Sequence, residues 1–144
     1  MFDVEVRNKK CIVTRFTSQP SHFNKNSNVA NSGLFFCAKN KREGEISVFD
    51  ITEKILKNDD EEIFKFGDKV VCKKPPYTLA RADLKTEDIF KIKSKFGQIK
   101  LYRNILRNDN HRNIRPYPND DDEALHIANH LVRISKLHIR NKNS

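Results

Sequence analysis

Two histidines and two arginines in this chain have the types and settings for phosphoryl chemistry. His22 lies in the polar run Gln19-Pro20-Ser21-His22-Phe23, and His111 lies in Asp109-Asn110-His111-Arg112-Asn113. Imidazole titrates near neutrality, so two histidines that meet at one substrate can act as general base and general acid. Arg15, just before the first run, and Arg112, beside His111, are placed to steady the charge that grows on a reacting phosphate. Together they outline a metal-independent ribonuclease that needs no cofactor. The chemistry requires the two runs to converge; apart, both histidines are ordinary solvated loop residues.

A basic stretch supplies the second feature. Between Lys91 and Arg115 stand Lys91, Lys93, Lys95, Lys100, Arg103, Arg107, Arg112 and Arg115, opposed only by Asp109, a balance of +7 over 25 residues. Each phosphate neutralised by such a surface releases counterions, which favours nucleic acid. Phe96, Tyr102 and Tyr117 are interleaved, and a base can stack on an exposed ring. The competing explanation is the wet face of an element in which cations alternate with apolar residues. The charge is also uneven along the chain. Residues 1–68 carry 11 Lys/Arg against 11 Asp/Glu, whereas residues 69–144 carry 17 against 8, the whole of the net +9. Such asymmetry points to an anionic partner.

Other constellations are weaker. Asp122, His126 and His130 recur at helical spacing, but no glutamate follows the first histidine and no third zinc ligand is apparent. The acidic runs at 59–62 and 120–123 suit helix starts. Asp50 and Asp83 sit at expected strand ends without forming a recognisable two-metal set. Arg15 on a first strand and Ser47 on a later one could hold a phosphate and a ribose of a dinucleotide such as NAD. Gly33, Gly44, Gly67 and Gly97 are isolated, so no phosphate loop is present. Cys11, Cys37 and Cys72 form no CxxC pair and read as reduced thiols in apolar strands.

The elements that must position these residues follow from the apolar pattern. Strands are expected over 11–16, 34–39, 45–51, 78–84 and 98–106, the second and third forming a hairpin across the polar turn 40–44. Polar loops are expected over 17–31 and 107–119. Thr52 is placed to cap a short helix, and further helical turns are expected over 61–66 and after Thr86. Asn119 or Asp120 starts the longest helix, whose apolar stripe is Ala124, Ile127, Ala128, Leu131, Val132 and Ser135. Residues 141–144 are expected to fray.

The expected architecture is therefore α+β: one domain over 1–144, about five antiparallel or mixed strands, short helices, and a long C-terminal helix packed on one face. No signal peptide or membrane span is visible, which suggests a cytoplasmic protein. The leading functional expectation is a small protein directed at nucleic acid, RNA more than DNA, with a ribonuclease of toxin or defence type as its enzymatic form. The alternative is a non-enzymatic module whose basic half docks an acidic protein partner.

Overall fold

A computed structural model of the chain describes residues 2–37, 44–107 and 109–141. Among these residues the chain forms β1 (Asp3–Val6), β2 (Ile12–Thr17), β3 (Phe23–Asn24), β4 (Val29–Ala30), β5 (Ile46–Asp50), α1 (Thr52–Leu56), α2 (Asp60–Val70), β6 (Ala80–Lys85), α3 (Thr86–Ile89), β7 (Lys93–Ser94), β8 (Gly97–Gln98), β9 (Lys100–Asn104), β10 (His111–Arg115), α4 (Asp121–Ile134) and β11 (Lys136–Ile139). Seven strands make one antiparallel sheet in the order β1-β9-β10-β5-β2-β6-β11, and β3–β4 and β7–β8 form small separate hairpins. The α+β class and the long C-terminal helix agree with expectation; the main sheet has two more strands than expected.

The longer helices begin where acidic caps permit. Asp59 accepts from the Glu62 N–H at the start of α2, and Asp120 accepts from the Glu123 N–H at the start of α4, each satisfying a donor that the first turn leaves free. Thr52 does not cap α1: it is the helix's first residue. Its hydroxyl donates to Asp50 Oδ1 at 2.6 Å and accepts from the Ile12 N–H at 3.0 Å.

Period-two alternation divides the core between the two sheet faces. On one face Val13, Ile46, Val48, Ala82, Leu84, Leu101 and Ile114 pack with Ala124, Ile127, Ala128 and Leu131 of α4. On the other, Phe16, Phe49 and Ile51 pack with Ile63 of α2, and Phe66 joins Phe16 and Phe49 with ring centroids 5.9–6.3 Å apart. Helices thus cover both faces, rather than the single face expected.

Several local expectations are corrected. Residues 34–37 are not a strand: Leu34 ends a 3-10 turn, and residues 38–43, including most of the expected turn at 40–44, lie outside the described residues. Among the described residues β5 pairs with β2 and β10, not with residues 34–37 as the expected hairpin requires. The loop expected over 107–119 contains β10, an interior strand, and the stripe expected for the last helix overruns it by one residue: Ser135 is the C-cap, and the chain continues as β11. The first loop carries a 3-10 turn over Pro20–His22 and the β3–β4 hairpin. Cys11, Cys37 and Cys72 form no disulfide among the described residues, and none lies in a strand. The expected frayed tail falls outside the described residues from 142 onward. Among the described residues no helix is long and apolar enough to cross a membrane.

Candidate functional site

The site begins at a fork between two strands. β2 pairs with β6 along its full length, but with β5 only at Val13–Asp50 and Thr14–Phe49. Beyond that point a strand carbonyl would lack its ladder donor, which is costly if buried. Arg15 fills the gap. Its Nη1 donates to the Ser47 carbonyl at 2.8 Å, its Nε donates to the Leu34 carbonyl at 2.6 Å, and Nη2 lies 3.9 Å from Cys37 Sγ. A guanidinium so used keeps its positive charge while its partners are neutral.

On the α2 side of this fork is a cleft of about 520 Å³. Arg15, Ser47, Lys73, Arg107 and His111 line it, with Phe16, Phe49, Val70 and Val71 as apolar walls and no carboxylate among the lining residues. Strand register explains the grouping. His111 stands opposite Phe49 across β10–β5, so it shares that face with Ser47 two residues away. Its ring meets Phe49 edge-on at 5.3 Å between centroids.

The hydrogen bonds of His111 determine its protonation. Nε2 lies 2.6 Å from Ser47 Oγ, and Nδ1 lies 3.3 Å from Arg107 Nη1. A guanidinium can only donate, so Nδ1 holds the lone pair and Nε2 carries the proton toward Ser47. Ser47 is then the acceptor, and the pair is not arranged as a nucleophile with its base. Burial lowers the His111 pKa, and the Arg107 charge lowers it further, against a partial upward pull from Asp109 and Glu45. Arg107 itself is tied to Asp109 at 2.7 Å, whereas Lys73 makes no ion pair among the described residues.

The residues singled out in the sequence separate as follows. Arg15 and His111 share the cleft. His22 does not line it: its Nδ1 is 2.7 Å from Thr17 Oγ1, and its pKa is lowered by burial and by the Arg15 charge. Arg112 alternates to the opposite face from His111. There Nη1 donates to the carbonyls of Asp109 and His111, Nη2 lies 3.9 Å from Asp50, and Nε is buried without a partner. Of the four expected catalytic residues Arg15 and His111 line one cleft but come from opposite faces of the sheet: Arg15 shares the face of Val13, and its guanidinium turns to Leu34 and Cys37.

The basic stretch is partly neutralised. Arg115 pairs with Asp3 and Glu45, and its guanidinium covers the Tyr102 ring at 4.9 Å. Lys100 pairs with Glu5 at 3.5 Å. Lys91, Lys93, Lys95 and Arg103 are exposed, and Phe96 is exposed at the tip of the β7–β8 hairpin. Tyr117 is corrected outright as a stacking residue: it is buried, donating from its hydroxyl to the Phe35 carbonyl and accepting from the Cys37 N–H.

Lys73 is the cleft residue that sequence reasoning passed over. It follows α2 in a segment with no chemical motif, and only the packing of α2 on β2 brings it to His111. His126 and His130 meet edge-to-face with ring centroids 6.5 Å apart, and no metal-binding cluster occurs among the described residues. No protein-family model, curated protein or solved structure matches this chain.

Proposed function

We propose that the protein binds phosphate-bearing nucleic acid, single-stranded RNA foremost, in the cleft between β2, β5 and β10. The observation that supports this most directly is the grouping of Arg15, Lys73 and Arg107 beside His111 with no carboxylate among the lining residues. A phosphate satisfies the charge that neutral backbone acceptors leave on Arg15, and the phenylalanine and valine walls accept a ribose or base. Lys91, Lys93, Lys95 and the exposed Phe96 offer a second contact of the kind that follows a strand's backbone and stacks a base.

Binding follows counterion release, so affinity for a fluorescent RNA oligomer falls steadily as salt rises. Lys73→Ala with Arg107→Ala weakens binding and flattens that salt dependence. Salt-insensitive binding, or binding unchanged in the double variant, rejects the reading. In a catalytic form His111 Nδ1, released by Arg107 as that guanidinium turns to the phosphate, accepts the 2′-hydroxyl proton while the 2′-oxygen attacks phosphorus, and the 5′-oxygen leaves with a proton from solvent. RNA cleavage in EDTA that disappears in His111→Ala, and persists in His22→Ala, is the corresponding result.

A second reading has one specific observation in its favour. The cleft's volume of about 520 Å³, with Arg15 and Ser47 among its lining residues, also suits a nucleotide cofactor such as NAD. NAD consumption in the same assays, without RNA cleavage, selects this reading over the first.

A further inference from the structure

We propose that the pocket between β6, β11 and the α1–α2 layer is a second binding site, which takes a short aliphatic carboxylate on Arg81. It shares no lining residue with the basic cleft, so the inference is independent of the function proposed above.

Arg81 is the starting observation. Its side chain is 1% exposed, yet its donors are unequally used. Nε donates to Asp83 Oδ1 at 3.1 Å, and Nη2 donates to Asp60 Oδ1 at 3.2 Å. Nη1 is buried without a partner. Buried N–H groups are rarely left so: the guanidinium lies over the Phe64 ring at 5.1 Å, but a ring face does not replace a hydrogen-bond acceptor.

The two carboxylates on Arg81 differ in kind. Asp83 is 9% exposed and also accepts from His138 Nε2 at 3.2 Å. Burial pushes the Asp83 carboxyl up, but the His138 hydrogen bond and the Arg81 charge outweigh this and hold it below its usual value. Asp83 is a fixed counterion. Asp60 is 70% exposed and meets only one of the two terminal nitrogens. A planar carboxylate can span Nη1 and Nη2 together, the paired geometry for which guanidinium is suited. A ligand carboxylate that displaces Asp60 therefore satisfies the orphaned Nη1 and takes the place of Asp60 as the second counterion of Arg81, while the freed Asp60 turns to solvent.

The rest of the pocket sets the ligand's body. Its volume is about 500 Å³, and Ile12, Ile55 and Ile134 line it with the buried Ile63. These walls suit an alkyl chain. Lys85 and Lys136 at the rim attract an anion, while Asp59 and Asp88 oppose one. That mixture, with Asp83 beneath, tolerates one negative charge better than the two of a phosphate monoester.

The test uses the full chain and hexanoate, with hexanol and inorganic phosphate as comparisons. Methyl NMR should show Ile12, Ile55 and Ile134 shifting with hexanoate and not with either comparison. Asp60→Asn removes the internal competitor and leaves Asp59 as the cap of α2, so hexanoate should bind about tenfold more tightly. Arg81→Lys should abolish the response; if that variant does not fold, Asp60→Asn still decides. Equal shifts with hexanol, a preference for phosphate, or no gain in Asp60→Asn overturns the proposal. Shifts confined to residues of the basic cleft also overturn it without touching the nucleic-acid reading.

Discussion

Arg15 and Arg81 sit on the adjacent strands β2 and β6, and their surroundings are opposite. Arg15 donates to neutral carbonyls, so its N–H groups are used and its charge is not. Arg81 meets Asp83 and Asp60, so its charge is matched while Nη1 is left over. Satisfying hydrogen bonds and neutralising charge are separate requirements, and each site meets one of them. The first keeps an unbalanced charge; the second keeps a donor that lacks an acceptor oxygen. The same distinction operates across the molecule. Cations of the basic half pair with carboxylates of the balanced half: Arg115 with Asp3 and Glu45, Lys100 with Glu5, and Arg140 with Glu61 and Asp68. Charge that is segregated in the sequence is interleaved in space.

Removing each arginine gives the largest contrast. Arg81→Met leaves Asp83 buried with His138 and Thr14 but no cation beside it, and loss of one partner of a buried pair costs about 3–5 kcal/mol. Arg15→Met leaves two carbonyls without donors but also removes a cation that no carboxylate balances, a cost of about 1–3 kcal/mol. Denaturant unfolding of the two variants should rank them in that order. The reverse order would mean that charge pairing contributes little at Arg81.

A smaller effect is expected where α2 separates the sites. A Cβ on Gly67 would lie 2.5 Å from Phe16 Cδ1 and 2.8 Å from Thr78 Oγ1. Gly67→Ala must push α2 from β2, at about 1–3 kcal/mol for such overpacking. Phe16 is also a wall of the basic cleft, so anion affinity there should fall together with the melting temperature.

Much of the frame was legible where one residue pattern served one purpose. The stripe Ala124, Ile127, Ala128 and Leu131, behind an aspartate cap, marked α4, and the alternation in Ile46–Asp50 marked β5. β10 was hidden because His111-Arg112-Asn113-Ile114-Arg115 is nearly all polar, although it is an interior strand. Its polar side chains serve the cleft and the ion pairs, so the usual apolar signal is replaced by function. Arg15 and His111 were identifiable by type, but their meeting depends on β5 lying between β2 and β10. The Arg81–Asp83 pair was also readable, since residues two apart on a strand share a face. Within Ala80–Lys85, however, their burial follows only from the position of α2. Tyr117 misled because a ring among cations looks exposed until its hydroxyl's partners are known.

Charge removal at the cleft should change binding without unfolding the protein. The Arg107 side chain is 51% exposed and Lys73 is exposed, so alanine at either position should alter stability by no more than about 0.5 kcal/mol. For an RNA oligomer each lost phosphate contact should reduce the slope of log affinity against log salt by about 0.7. A slope unchanged in both variants would place the anion elsewhere on the surface, and the exposed β7–β8 hairpin would be the next place to look.

The smallest effect is one of pH, and its two readouts run in opposite directions. Burial lowers both His22 and His111 below the ordinary value near 6.5, with help from Arg15 and Arg107 respectively. The native state therefore favours the neutral rings. Their contribution to stability is complete above pH ~6.5 and is lost as pH falls through the depressed native values, because the unfolded chain takes up protons first. Both rings are only partly buried, so solvent screening keeps this to a fraction of a kcal/mol each, visible as a small decline in unfolding free energy. An anion in the cleft reverses the preference at His111, since it stabilises the imidazolium. Affinity for RNA should thus rise over the same interval in which stability falls. His111→Gln should remove the rise in affinity and part of the decline in stability, leaving the part that belongs to His22. If affinity instead stays flat with pH in the unaltered protein, the bound phosphate is not beside His111, and Arg15 and Lys73 hold it at the opposite wall.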